Sequence, residues 1–322
     1  MEFHPLAQQA QAQAQINHQQ APAAAEKKAA VVSDLRSNSP TALAEEQAAH
    51  FRHPGVPNRA ALPLPSFLSP EQLASYDRDG FLLIKAKDVW SPSEMKLLLA
   101  AVNLMDDWPD KAGEYMKYYE KNRRADAAAG SKVLSRIENF TQYNPGLDFL
   151  LTGDKLPAMC SDLFGEPSIM YKEKVNYKMP GSDGFAPHQD VAAGWWLYKQ
   201  SLHVSCLVSI DPATLENGCL EVAAGEHKRG MLSAEWKEIP EDTVARLRWQ
   251  HVPTEPGDVL FFDSYVPHRS APNATDKPRR VLYATYAKAS EGDWRARYYA
   301  DKRAAFPPDI ERAPGTNYEY KI

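Results

Sequence analysis

The sequence predicts a mainly β domain with helical support, occupying residues 61–322 behind a tail of residues 1–60. Three observations carry this expectation. From residue 168 onward, short apolar runs are separated by turn residues, which is the texture of a sandwich or barrel. Before that point, two capping signatures each open a helical pattern. Finally, 322 residues at 43% hydrophobic are enough to bury a substantial core.

Taken in order, residues 1–60 are rich in Gln, Ala, Pro, Ser and Asn. Hydrophobic residues such as Val31, Val32 and Leu35 are too sparse there to form a core, so the segment reads as a disordered tail. Ser69-Pro70-Glu71-Gln72 combines a cap, a proline at the first helical position and a Gln three residues on, and the helix it opens stops at Asp79-Gly80. Phe81–Ile84 is a compact strand-type run. Ser91-Pro92-Ser93-Glu94 repeats the cap and opens a helix to about Met105, with Met95, Leu98, Leu99 and Val102 at helical spacing. The charged and aromatic segment from Trp108 to about Lys132, with Tyr115, Tyr118 and Tyr119, reads as a surface helix followed by a loop. Val133–Phe140 reads as a strand, and Asp148–Phe164 as one helix with Asp148 as its cap and Gly165 as its stop.

The β region begins with Ser168–Lys178, whose faces are Tyr171, Glu173, Val175, Tyr177 and Lys172, Lys174, Asn176, Lys178. Pro180–Gly184 turns the chain. Leu202–Ile210 alternates, and Glu216-Asn217-Gly218 is a turn before Cys219–Val222. Residues 232–249 read as a helical insertion, Asp258–Asp263 and Arg279–Lys288 as strands, and the polar stretch from Ser290 onward as lacking a strong element.

A net charge of -5 and a pI near 6.0 leave no basic footprint, so a nucleic-acid partner is not expected. Cys160, Cys206 and Cys219 form no metal or disulfide pattern and read as buried thiols of a reducing compartment. No run approaches the length of a membrane span, and the N-terminus has no signal or transit layout, so no membrane association and a cytoplasmic location are expected. Nothing in the sequence specifies an oligomeric state.

The chemistry centres on Phe185-Ala186-Pro187-His188-Gln189-Asp190. On a strand, residues i and i+2 share a face, so His188 and Asp190 can approach one metal ion from the same side. The candidate third ligand is His268 in Tyr265-Val266-Pro267-His268-Arg269-Ser270, just past a strand, where a double-stranded barrel would bring it beside His188 and Asp190. Two histidines and one carboxylate leave positions open and form the donor set of non-haem Fe(II) oxygen chemistry. Such chemistry takes a 2-oxo acid as a second substrate, whose far carboxylate suits the forked donors of an arginine. Arg279 follows His268 by eleven residues; Arg280 competes with it, and strand parity alone leaves open which of the two faces inward.

Together, the run Tyr171–Gly181, the Phe185–Asp190 segment, Glu216–Val222, Val266–Asn273 and Arg279-Arg280 resemble the phytanoyl-CoA dioxygenase family of Fe(II)/2-oxoglutarate oxygenases over about residues 66–290. The resemblance implies a double-stranded β-helix, a jelly-roll or cupin-like barrel, with helices packed on one sheet. It implies that His188, Asp190 and His268 bind Fe(II), that Arg279 grips the distal carboxylate of 2-oxoglutarate with help from Ser270, and that Asn176 and Phe185 line the same pocket. It also turns the Lys172, Lys174, Asn176 face inward, whereas composition alone would send three lysines to water. The implied reaction consumes 2-oxoglutarate and O2, supported by ascorbate, and releases succinate and CO2 while hydroxylating a substrate C–H bond. Halogenating relatives lack the carboxylate ligand, so Asp190 argues for hydroxylation.

Lys-x-Asn-Tyr-Lys and Arg136-Ile137-Glu138-Asn139-Phe140 are most similar to segments of aminoalkylphosphonate hydroxylases, which implies a small zwitterionic substrate. On that reading Lys174, Arg136 and Asn139 contact the substrate, the Lys or Arg meeting its anionic group, and Trp195 or Trp196 faces its ammonium by cation–π contact. The same chemistry on an acyl-CoA, lipid or secondary metabolite is the alternative, followed by a catalytically silent scaffold.

Overall fold

Two capping boxes open the ordered helices of the computed structural model, which describes residues 53–55, 66–124 and 127–318. In α1 (Pro70–Asp79) the Ser69 side chain accepts from Gln72 N and the Gln72 side chain accepts from Ser69 N, and Gly80 ends the helix at φ 79°. After strand β1 (Phe81–Ile84) and the one-turn α2 (Ala86–Val89), Ser91 and Glu94 repeat the reciprocal cap at the start of α3 (Pro92–Asp106). The expected tail lies outside the described residues except for His53–Gly55, where His53 Nε2 sits 2.8 Å from Asp263 Oδ2.

Between residues 108 and 132 the chain forms strand β2 (Met116–Lys121), not the expected surface helix. Aromatic residues favour a pleated surface, and β2 gains a full partner in β3 (Lys132–Glu138). The helix expected over residues 148–164 is two helices, α4 (Pro145–Thr152) and α5 (Lys155–Phe164), broken at Gly153. Asn144 is the cap that sequence reading placed at Asp148: its Oδ1 accepts from Leu147 N at 3.1 Å, with Pro145 following it.

The remaining strands are β4 (Ser168–Lys178), β5 (Phe185–His188), β6 (His203–Ser209), β7 (Leu220–Ala223), β8 (Trp249–Val252), β9 (Val259–Asp263), β10 (His268–Ser270) and β11 (Arg279–Lys288). They form two antiparallel sheets, ordered β1-β9-β6-β11-β4-β3-β2 and β5-β10-β7-β8. Leu207, Leu260, Phe262 and Val281 of the larger sheet cluster with Leu220, Val222 and Val252 of the smaller one, so the sheets face each other as in a jelly roll. On the other face of the larger sheet, Leu98, Val102, Leu147, Leu151, Cys160 and Phe164 from the helices pack on Val175, Cys206, Phe261, Leu282 and Tyr286. The expected helical layer on one sheet is therefore present. Among the described residues, no helix is long and apolar enough to cross a membrane.

Two further expectations are corrected. Residues 232–249 are mostly irregular, with only the single turn α6 (Glu241–Val244). Pro240 and the positive φ of 60° at Trp236 interrupt the helix that the spacing suggested. The chain after Ser290 does carry a strong element, α7 (Arg295–Ala305). A buried carboxylate anchors this helix: Glu173 on β4 accepts from Arg295 Nη2 at 2.8 Å, from Phe140 N at 2.8 Å, from Thr141 N at 3.1 Å and from Tyr299 Oη at 3.1 Å. That anchor is a tertiary contact and leaves no trace in the local pattern.

Arg295→Met would leave the enclosed Glu173 carboxylate without its cation. Removing one partner of a buried pair costs about 3–5 kcal/mol, and urea unfolding should register that loss. Arg297→Met, which breaks the half-exposed Arg297–Asp301 pair, should cost about 1 kcal/mol or less.

Candidate active site

Strands β5 and β10 pair antiparallel with His268 directly opposite His188, and the two imidazole centroids lie 4.2 Å apart. Asp190 follows at the start of a 3-10 turn (Asp190–Ala193). One nitrogen from each histidine and a carboxylate oxygen all lie within 4.8 Å of one another, the one such group of His, Cys, Asp and Glu among the described residues. Which nitrogens face inward follows from hydrogen bonding. His188 Nδ1 is 2.7 Å from Ala186 O and His268 Nδ1 is 3.0 Å from Val266 O. A carbonyl only accepts, so both Nδ1 atoms carry the proton and both Nε2 lone pairs are free. Ser205 Oγ donates to Asp190 Oδ2 at 2.7 Å, which leaves Oδ1 toward the histidines, 3.8 Å from His268 Nε2.

Protonation suits the same task. Burial, reinforced by His268, pushes the His188 imidazole down to about 3, so it is neutral at ordinary pH. Burial opposes ionisation of Asp190, but His268, Lys172 and Lys174 outweigh it and hold the carboxyl below the usual range. Two imidazole nitrogens and one carboxylate oxygen fit a divalent metal that prefers nitrogen and oxygen donors, and iron is within that class.

The triad opens into a cavity between the sheets, walled by the face of β4 that carries Lys172, Lys174, Asn176 and Lys178. The inward turn of these residues overrides the composition-based expectation that the lysines face water. On β11 the structure decides between the two arginines. Arg279 is buried and lines the cavity, while Arg280 points away and pairs with Asp211 and Asp106. Arg279 Nε donates to Asn217 O at 3.2 Å, and among the described residues no carboxylate pairs with its guanidinium. Around it, Lys178 Nζ donates to Ser270 Oγ at 2.8 Å, and the Asn176 Oδ1 atom is buried with no partner. Phe185, 47% exposed, stands at the rim. A buried cation with an unclaimed amide beside it fits one end of a dicarboxylate. Gly218 permits the packing here: at φ 71°, a Cβ would meet Ala271 O at 2.1 Å and Lys178 Nζ at 2.9 Å.

Lys174 lines the cavity as expected, with its Nζ 5.0 Å from the Tyr283 ring centroid. Four other candidates do not line it. Trp195 is buried against Tyr171 and His203, and the cation over its ring is the chain's own Lys172, at 4.3 Å. Trp196 donates its Nε1 to Glu235. Arg136 lies opposite Asn176 in the sheet, yet its Nε is 2.7 Å from Glu138 Oε1. Asn139 sits at φ 56° and accepts from Arg295 at 3.5 Å. Sequence reading missed Lys178 and Ser205 as site residues. Their signals were parity with Asn176 on β4 and a small polar residue between the apolar positions of β6.

Burial, and then the neighbouring Arg279, pushes the Lys178 ammonium down to about 7. A dicarboxylate bound at Arg279 adds negative charge that favours the protonated amine. Between pH 7 and the ordinary lysine value near ~10.4, binding should take up a proton, and affinity should fall as pH rises through this window. Calorimetric titration at about pH 8 in buffers of different ionisation enthalpy should show uptake by the native protein and almost none in Lys178→Met. An affinity that stays flat from about pH 7 to 9 would contradict the assignment.

A family description, Phytanoyl-CoA dioxygenase, matches residues 76–281. The chain is 36% identical over 267 residues to a 2-aminoethylphosphonate dioxygenase of uncultured bacterium HF130_AEPn_1, covering 79% of this chain and 94% of that one. It is 39% identical over 240 residues to a methylphosphonate hydroxylase of Gimesia maris, covering 74% and 88%. In three dimensions it resembles the crystal structure of EctD from S. alaskensis with 2-oxoglutarate and 5-hydroxyectoine, with a TM-score of 0.61 at 22% identity over 74% of this chain and 84% of that one. A match across most of the barrel, joined by relatives of this identity along nearly their whole length, establishes that the chain belongs to the phytanoyl-CoA dioxygenase family.

Proposed function

We propose that this dioxygenase hydroxylates a C–H bond of a small organophosphonate, with Fe(II) held by His188, Asp190 and His268 and with 2-oxoglutarate and O2 as cosubstrates. The observation that carries this reading is the distribution of cations on the cavity wall. Lys178 and Arg279 act on each other at one end, and Lys172 and Lys174 both act on Asp190 at the other. One dicarboxylate uses the first pair, and Lys174 at the other end is placed to meet an anionic group on the substrate. A wall that sets Lys172, Lys174, Lys178 and Arg279 beside Leu220, Phe262 and Val281 favours a charged substrate over the apolar tail of a lipid or acyl chain. The names of the two relatives, a 2-aminoethylphosphonate dioxygenase and a methylphosphonate hydroxylase, point the same way.

When bound, the iron supplies activation of O2 at the expense of 2-oxoglutarate, which leaves as succinate and CO2. The chain's own residues do the positioning. Ala186 and Val266 carbonyls fix the two imidazole tautomers, and Ser205 orients Asp190 so that one oxygen faces the histidines. Arg279 and Ser270 receive the distal carboxylate, Asn176 offers its unpaired amide beside it, and Phe185 shields the rim from water. Lys174 leans on the Tyr283 ring and Lys172 on the Trp195 ring, so aromatic faces help to hold both ammonium groups. The role first read for Trp195, contact with a substrate ammonium, becomes that of holding Lys172.

Purified protein supplied with Fe(II), 2-oxoglutarate and ascorbate should release succinate with aminoalkylphosphonates or methylphosphonate, and not with betaines or acyl-CoAs. Asp190→Ala should abolish release. Lys174→Met should raise the KM for the phosphonate roughly 10- to 100-fold, the worth of one hydrogen bond to a charged group, while the 2-oxoglutarate KM moves less than about 2-fold. Turnover of acyl-CoAs in preference to phosphonates, or no succinate from the whole panel, would overturn the proposal.

A further inference from the structure

The residue between His188 and Asp190 has no part in the chemistry above. Gln189 is fully buried, and its extended backbone, φ -120° and ψ 133°, turns its side chain away from the face shared by His188 and Asp190. Its side-chain amide makes three hydrogen bonds to the backbone, two as donor and one as acceptor. Nε2 donates to Tyr265 O at 2.6 Å and to Gly230 O at 2.9 Å, and Oε1 accepts from Leu232 N at 2.7 Å. Tyr265 stands three residues before His268, on the loop that delivers it to β10. A backbone bond from Val191 N to Ser264 O, 3.0 Å, ties the same two segments together. One side-chain amide therefore joins the segment that carries His188 and Asp190 to the loop that leads into His268, and pins the 230–232 segment to both. Only an amide fits this role among side chains of this size, since it needs two donors and an acceptor at one position.

We infer that Gln189 is a positioning residue that sets the spacing between the His188/Asp190 pair and His268, and through it the affinity and geometry of the bound metal. This rests on the reading of the triad as a metal site. Partners behind metal ligands typically contribute 10–100-fold in metal affinity.

The test uses Co(II), whose visible absorption reports both affinity and coordination geometry, on the full chain. Gln189→Met keeps the length and neutrality of the side chain and removes all three bonds; Gln189→Asn keeps the amide but shortens its reach. Both should bind Co(II) about 10–100-fold more weakly than the native protein, with a changed absorption envelope and with Asn the milder of the two. The control is Tyr286→Phe, which removes a buried hydrogen bond to Leu151 O in the helix-facing core. It should lower thermal stability and leave Co(II) affinity unchanged. If Gln189→Met does not fold, Gln189→Asn carries the test. Native affinity and spectrum in a folded Gln189 variant would overturn the inference, as would an equal loss of affinity in Tyr286→Phe. A native protein that binds no Co(II) would instead remove the metal-site reading itself.

Discussion

The pairing of β4 with β11 at the middle of the larger sheet is the constraint on which the rest of the molecule depends. Ten register pairs run from Arg279 opposite Lys178 to Lys288 opposite Ser168. The two-residue period of a strand then divides every function of the sheet by face. Val175, Tyr177, Leu282, Ala284 and Tyr286 go to the helical layer. Lys172, Lys174, Asn176, Lys178, Arg279 and Tyr283 go to the cavity. A one-residue slip would exchange the two sets, burying charge against the helices and closing the cavity with apolar side chains. The bulge at Thr285/Tyr286 lies beyond the site, so register is unbroken where the cavity residues stand.

Placing four cations along one interior wall is costly unless each has compensation. The chain supplies it in three forms. Aromatic faces take Lys172 and Lys174, backbone and hydroxyl oxygens take Lys178 and Arg279, and the Asp190 carboxylate faces the far pair. Compensation is incomplete at Lys178, where burial and then Arg279 disfavour the charged ammonium. On the opposite face of the same strand, Glu173 is fully ionically matched by Arg295. The contrast is between a charge matched within the fold and, on the function proposed above, Lys174 and Arg279, which meet incoming anions.

Closure of the C-terminal helix over β4 extends this logic. Glu138, on the same strand as Arg136, is buried, and although burial opposes its ionisation, Lys302 and then Arg136 bring it down to about 2. Lys302 Nζ lies 2.5 Å from Glu138 Oε2 and Arg295 reaches Glu173, so two rungs of α7 are bolted to adjacent strands. The helix thereby fixes β3 beside the Lys174 and Asn176 stretch of β4 without itself entering the cavity.

Local chemistry alone determined a good part of this protein. Capping boxes at Ser69 and Ser91, glycine stops at Gly80 and Gly165, and the bounds of β4 and β11 were all legible, because each depends on neighbours within a few residues. His188, Asp190 and His268 were legible as a set from residue type and strand spacing, and the structure brings them together. Tertiary structure decided what depends on partners far along the chain. Which of Arg279 and Arg280 faces inward was set by the sheet to which β11 pairs, and the inward turn of the lysines by the aromatic rings that receive them. The fate of Trp195 was set by Lys172. β2 and α7 escaped sequence reading for the same reason: the first is a strand because β3 lies beside it, and the second is a helix docked by Glu173 and Glu138. Gln189 is the sharpest case, since nothing local distinguishes it, and only the folded chain brings Gly230, Leu232 and Tyr265 to its amide.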